Sequence, residues 1–146
     1  MKQLLFVYNP KAGRQRAKTM LSDVLTVFAL EGYQITVRPT LGPGDATQVV
    51  ADTAAHYDRV VCCGGDGTLN ETVGGLLSLP QEERPVLGYI PAGTTNDFSR
   101  NINLPRSTQE LARVACGGVP RSIDVGDLGG RQFLYIAAFG LFTDVS

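Results

Sequence analysis

The chain predicts an α/β fold: an open, mostly parallel sheet with helices on both faces, ending in a β-hairpin. Three observations carry this. Strand and helix signals alternate from the first residues onward, which is the pattern of βαβ units. Arg59-Val60-Val61-Cys62-Cys63 is short, mostly apolar and β-prone, as a strand buried on both faces is. It runs into a glycine turn, Gly64-Gly65-Asp66-Gly67, and then into a segment of helical length, residues 68–79, with Leu69, Val73, Leu76 and Leu77 at helical spacing.

Taken in order, residues 3–8 read as the first strand. Residues 14–30 read as a helix whose apolar face is Ala17, Met20, Leu21, Val24, Leu25 and Phe28, and Gly32 stands where a left-handed C-terminal residue belongs. Residues 33–38 form the second strand. Thr40-Leu41-Gly42-Pro43-Gly44-Asp45 is a turn cluster, and Asp45 with Gln48 resembles a capping box for a helix reaching His56. The third strand is residues 58–63, followed by the glycine corner and its helix. Residues 80–85 form a polar loop, residues 86–90 a fourth strand, and residues 91–97 another turn-rich corner. Ser107 and Glu110 form a second capping box, for a helix over residues 109–116. Residues 122–128 and 131–138, joined through Gly129-Gly130, read as a hairpin rather than a further βαβ unit.

At 146 residues the chain fits one domain with a substantial core. Thirteen basic and fourteen acidic residues leave a net charge of -1, so no basic field points to nucleic acid or an anionic membrane. Cys62, Cys63 and Cys116 form neither a C-x-x-C pair nor a Cys/His metal pattern, and read as reduced thiols of a soluble, cytoplasmic protein. Nothing approaches 18 continuous apolar residues. The strand-like run over residues 133–142 lies almost at the end of the sequence, which suggests a fragment of a longer protein cut near Ser146.

In an open parallel sheet, ligands bind beyond the carboxyl ends of the strands near a topological switch point. Three polar corners follow the first, third and fourth strands: Asn9-Pro10-Lys11-Ala12-Gly13, residues 64–71, and residues 91–97. Each alone fits an ordinary turn or cap; together they suit one crevice. Glycines let backbone approach a ligand closely, and a helix start offers free N–H groups to anions. Asp66 is the odd member, since a carboxylate beside phosphates repels them unless it orders the loop, accepts a donor or holds a metal ion. Asp97 and Asp124 are companions that would suit Mg2+ if they converge with Asp66, although Asp97 equally fits a helix cap and Asp124 a solvent-facing hairpin position. Lys11, Arg14 and Arg16 suit outer phosphates or a solvated helix start. Thr40 suits a nucleotide contact or a bond within its own turn.

Familiar alternatives are absent. The chain has no Gly-Lys pair for a P-loop, and G-x-G-x-x-G fails because Asn70 stands at its last position. H-R-D, D-F-G and G-x-S-x-G do not occur, and His56 is the single histidine.

Asn9-Pro-Lys-Ala-Gly13, Gly64-Gly-Asp-Gly-Thr-Leu-Asn-Glu71 and Pro91-Ala-Gly-Thr-Thr-Asn-Asp-Phe98, in that order, resemble the diacylglycerol kinase catalytic domain, most closely the bacterial soluble lipid kinases related to sphingosine kinases, NAD kinases and phosphofructokinases. The resemblance implies a nucleotide-binding α/β domain over residues 1–146, with a β-rich second domain absent and the active site between the two. It implies ATP and Mg2+ as cofactors. Nucleotide contacts would come from Asn9, Pro10, Lys11, Ala12, Gly13, Thr40, Gly65, Asp66, Gly67, Thr68, Leu69, Asn70, Glu71 and Thr94. Asp66, Asp97 and Asp124 would belong to a magnesium-linked acidic network. The catalytic base and lipid pocket would lie in the absent part, so no residue here is the base and Asp66 is at most a supporting residue. The implied activity is phosphoryl transfer from ATP to a lipid hydroxyl, of diacylglycerol or a related lipid. It leaves room for peripheral membrane contact through the absent domain and for a homodimer. The rivals are an NAD kinase-like enzyme, from which the Asn-Pro-x-Ala-Gly opening points away, and a non-catalytic nucleotide-binding module.

Overall fold

A computed structural model describes residues 1–13, 16–92, 107–127 and 130–137. Six strands form one sheet: β1 (Lys2–Tyr8), β2 (Tyr33–Pro39), β3 (Arg59–Gly64), β4 (Val86–Pro91), β5 (Arg121–Asp127) and β6 (Gly130–Ala137), in the spatial order β2-β1-β3-β4-β6-β5. β1 pairs parallel with β2 and β3, and the parallel pairing continues through β4 to β6. β5 runs antiparallel to β6, the expected hairpin. Its arms begin one residue earlier than the turn chemistry predicts.

Helices cover both faces because successive side chains of the inner strands point in opposite directions. Leu4, Phe6, Val61, Cys63 and Ile90 face α1 (Arg16–Leu30) and the helix after β4, α4 (Thr108–Gly117), through Val24, Phe28, Ala112 and Cys116. Leu5, Val7, Val60, Cys62, Leu87 and Tyr89 face α2 (Asp45–Thr53) and α3 (Asp66–Leu77), through Val49, Val50, Leu69 and Leu76. β1 is buried from Leu4 to Val7 and β3 from Val60 to Gly64, whereas the edge strand β2 alternates between inward and outward residues. Each fully buried Leu or Val contributes roughly 1.5–3 kcal/mol, so the two layers together hold the sheet. α4 lies against β4 at Gly88, where an added Cβ would fall 2.1 Å from the Ala115 carbonyl oxygen.

Three local differences from the sequence reading have identifiable causes. α2 is not opened by an Asp45 capping box: Gly44 is the N-cap, at φ 85°, and the Asp45 carboxylate instead accepts from the Leu41 N–H at 2.9 Å. A carboxylate beside a turn full of free donors bonds backward into that turn. The last predicted turn of this helix is a 3-10 segment, Ala54–His56. α3 starts at Asp66 rather than at Thr68, with Gly65 as N-cap, and ends at Leu77. Gly32 is left-handed, at φ 89°, and the Ser107 hydroxyl accepts from the Glu110 N–H at 3.1 Å, both as expected. The predicted start of α1 at Arg14 lies outside the described residues.

The neighbours of β1 come from connections that leave it in opposite directions, β2 to one side and β3 to the other. The connections through α1 and α2 lie on opposite faces, which opens a crevice beyond the carboxyl ends of β2, β1 and β3.

Candidate functional site

Three strand ends are tied together around this crevice. After β1, the Asn9 N–H donates to the Cys63 carbonyl at 3.0 Å, binding the first corner to the end of β3. The Asn9 side-chain oxygen accepts from the Lys11 N–H at 3.0 Å and its carbonyl from the Ala12 N–H at 3.1 Å, which curls the chain into a tight turn. After β2, the Thr40 N–H donates to the Tyr8 carbonyl at 2.8 Å. After β3, the Gly64 carbonyl accepts from the Ala92 N–H at 2.8 Å and from the Tyr89 hydroxyl at 3.2 Å.

The glycines of the corner have distinct reasons. A Cβ at Gly64 would lie 2.6 Å from Thr68 Oγ1 and 2.8 Å from Thr68 Cβ, so only glycine lets α3 seat itself on the end of β3. A Cβ at Gly67 would meet nothing within 4 Å, because Gly67 faces the crevice. Thr68 and Thr72 are buried, and the Thr72 hydroxyl donates to the Thr68 carbonyl at 2.8 Å. The first turn of α3 thus rests on packed side chains, its free N–H groups and positive dipole end at the top of the sheet.

Between the strand ends lies a cavity of about 290 Å3, lined by Asn9, Lys11, Thr40, Leu41, Gly42, Pro43, Ala46, Gly67, Thr68 and Glu71. Asn9, Lys11, Thr40, Gly67, Thr68 and Glu71 were expected on resemblance. Pro10, Ala12, Gly13, Gly65, Asp66, Leu69 and Asn70 do not line it; Ala12 and Leu69 belong to the two cores. Leu41, Gly42, Pro43 and Ala46 were missed. For Leu41, Gly42 and Pro43 the signal was the turn cluster itself, which follows an edge strand at the same end of the sheet as the other corners; Ala46 lies in the first turn of α2.

Asp66 is half-buried in the first turn of α3. It contributes, after burial and Cys62, to holding the Tyr89 phenol above its ordinary range, so Tyr89 stays protonated and donates to Gly64. Burial pushes the Cys62 thiol up to about 12 and the Cys116 thiol up to about 11, which makes both packing groups rather than nucleophiles. Thr94 and Asp97 lie outside the described residues, and Asp124 is described as a backbone position of β5 opposite Phe133. Among the described residues, no three His, Cys, Asp or Glu side chains are placed to hold a metal ion. His56 is exposed in the 3-10 segment, away from the cavity lining. No helix among the described residues is long and apolar enough to cross a membrane.

Known proteins resemble this chain in sequence and fold. The chain is similar to a diacylglycerol kinase of Bacillus subtilis (strain 168), 40% identical over 148 residues, covering 100% of this chain and 48% of that protein. A diacylglycerol kinase of Staphylococcus aureus (strain MRSA252) is 39% identical over 147 residues, 99% of this chain and 46% of that one. A crystal structure of a diacylglycerol kinase from Bacillus anthracis str. Sterne superposes with a TM-score of 0.71 at 34% identity, covering 84% of this chain and 41% of that one. The chain spans about half the length of the curated relatives it matches. The diacylglycerol kinase catalytic domain matches residues 3–128, from β1 through the glycine corner into the hairpin. With that match running through every strand end that builds the cavity, the chain belongs to the diacylglycerol kinase catalytic domain family.

Proposed function

We propose that this chain is the nucleotide-binding part of an ATP-dependent lipid kinase that transfers a phosphoryl group to the hydroxyl of diacylglycerol or a related lipid. The observation that carries the reading is a shared cavity into which Asn9, Lys11, Thr40, Gly67, Thr68 and Glu71 converge from three strand ends. Its volume of about 290 Å3 is just below the range of small-molecule sites, roughly 300–1,000 Å3. Its donors, the start of α3 and the exposed Lys11 ammonium, suit an anion. ATP supplies the phosphoryl group. The protein's part is orientation: α3 offers its first N–H groups to phosphate oxygens, Lys11 adds positive charge, and Gly67 leaves room for close approach.

Mg2+ belongs to this reading as an ion arriving with the phosphates, because it keeps several waters and takes few protein ligands. Among the described residues Asp66 stands beside the cavity-lining Gly67 without lining the cavity itself, and no three-group cluster is present, so the positioning steps above do not depend on the ion. The reading also has a cytoplasmic protein whose remaining part, a β-rich domain, supplies the base and meets lipid at a membrane surface.

The test is to incubate full-length protein with labelled ATP and diacylglycerol, sphingosine or NAD in turn. Label in phosphatidic acid supports the reading; label in NADP alone, or in none of the products, overturns it. In the same assay Asp66→Ala is expected to lower kcat by more than about tenfold at saturating lipid. An unchanged kcat would remove Asp66 from the chemistry.

A further inference from the structure

We propose that Glu71 is a positioning residue whose carboxylate holds the turn of Gly42, Pro43 and Gly44, so that α3 shapes both walls of the cavity; this rests on the nucleotide reading above. Gly44 is the N-cap of α2, and its N–H donates to Glu71 Oε1 at 3.0 Å. At an ordinary helix start that N–H is taken by a Glu or Gln at the third position of the same helix. α2 carries Thr47 there instead, and the Thr47 hydroxyl donates to the Glu71 backbone carbonyl at 2.7 Å. Glu71 is therefore gripped at both ends, its carboxylate by the turn and its carbonyl by the first turn of α2.

Backbone packing fixes the distance that this double grip needs. A Cβ at Gly75, one helical turn beyond Glu71, would lie 2.7 Å from the Thr47 carbonyl oxygen and 2.8 Å from Val50 Cβ. Only a glycine there lets α3 approach α2 so closely. Glu71 stands three and four residues after Thr68 and Gly67, on the side of α3 that lines the cavity. The helix whose start faces the crevice thus reaches across to hold the opposite wall, where Leu41, Gly42 and Pro43 lie. A carboxylate accepting from a backbone N–H makes a charge-assisted bond, stronger than a neutral one. Glutamine preserves the acceptor and its reach, whereas alanine removes the acceptor and aspartate shortens the reach by one methylene.

The experiment measures hydrogen exchange of the peptide over residues 40–47 in nucleotide-free full-length protein, together with KM for ATP and kcat. For Glu71→Ala and Glu71→Asp, exchange is expected to quicken about fivefold and KM for ATP to rise about tenfold, a larger change than any in kcat at saturating ATP. Glu71→Gln is expected to keep exchange within about twofold of wild type. Unaltered exchange in the alanine and aspartate variants overturns the proposal. So does a raised KM in Glu71→Gln with wild-type exchange, which would make the carboxylate itself a ligand contact. Should Glu71→Ala fail to fold, the aspartate and glutamine pair decides. If wild-type protein binds no nucleotide, the nucleotide reading fails, and the exchange comparison still decides the clamp.

Discussion

The two walls of the cavity are built on opposite principles. The inner wall, the end of β3 and the start of α3, is packed: Leu69 and Thr68 are buried, and the Gly64 carbonyl accepts two donors from the end of β4 and beyond. The outer wall, Leu41, Gly42 and Pro43, is exposed, with Leu41 85% accessible, and is held by the N–H groups of Thr40, Leu41 and Gly44 and by the Gly42 carbonyl, which accepts from the Asp45 N–H at 3.2 Å. A buried wall meets a ligand in a set shape, while a wall held by a few exposed bonds opens at small cost. On the proposed nucleotide reading, phosphate recognition falls to the inner wall and adaptation to the outer one.

Gly64→Ala strikes the packed wall hardest. Its Cβ would sit 2.6 Å from Thr68 Oγ1, so α3 must shift. A loss of about 3 kcal/mol in denaturant unfolding and a rise of more than about tenfold in KM for ATP are expected. A neutral result would show that the inner wall gives way. Alkaline pH attacks the same wall through Cys62, which lies on β3 beneath it and whose pKa stands at about 12 against an ordinary 9.0. An acid whose folded pKa is raised stabilises fully below its unfolded pKa, and that stability is lost as pH climbs from about 9 towards 12, by up to about 1.4 kcal/mol per unit. Chemical denaturation between those pH values checks this, and Cys62→Ala is expected to flatten the slope.

The outer wall responds less. Gly44→Ala places a side chain at φ 85° with nothing within 4 Å to clash, so the expected cost is backbone strain alone, about 1–2 kcal/mol by thermal unfolding. Leu41→Ser is expected to change stability by less than about 0.5 kcal/mol while raising KM for ATP about threefold. If Leu41→Ser raised KM as far as Gly64→Ala does, the division between a recognising wall and an adapting wall would be wrong.

The same contrast separates what was legible in the sequence from what was not. Periodicity placed every strand and the four α-helices among the described residues, because Leu4 to Val7 and Val60 to Cys63 must be apolar on both faces once helices cover both. The inner wall was legible for a similar reason: glycines in an apolar context have few other uses. The outer wall was not, since Leu41, Gly42 and Pro43 carry the letters of any turn and acquire a role through the strand order β2-β1-β3. Asp45 was misread as a capping residue because its carboxylate bonds backward into the turn, and α3 begins two residues before the expected Thr68, at Asp66, with glycine as its cap. The resemblance supplied residue names for the site; the topology decided which of them share a cavity.

The seam beside β1 has a consequence for how the molecule assembles. Asn9, Thr40 and Gly67 come from segments that meet after β1, β2 and β3 have all paired, so the cavity has no partial form in a chain that has built one hairpin or one βαβ unit. Contacts between such distant segments form slowly, because long loops must close first. Ligand capture during refolding would therefore time the completion of this half of the sheet. A ligand present at about a hundred times its Kd would hold that half closed with about 2.7 kcal/mol of added stability.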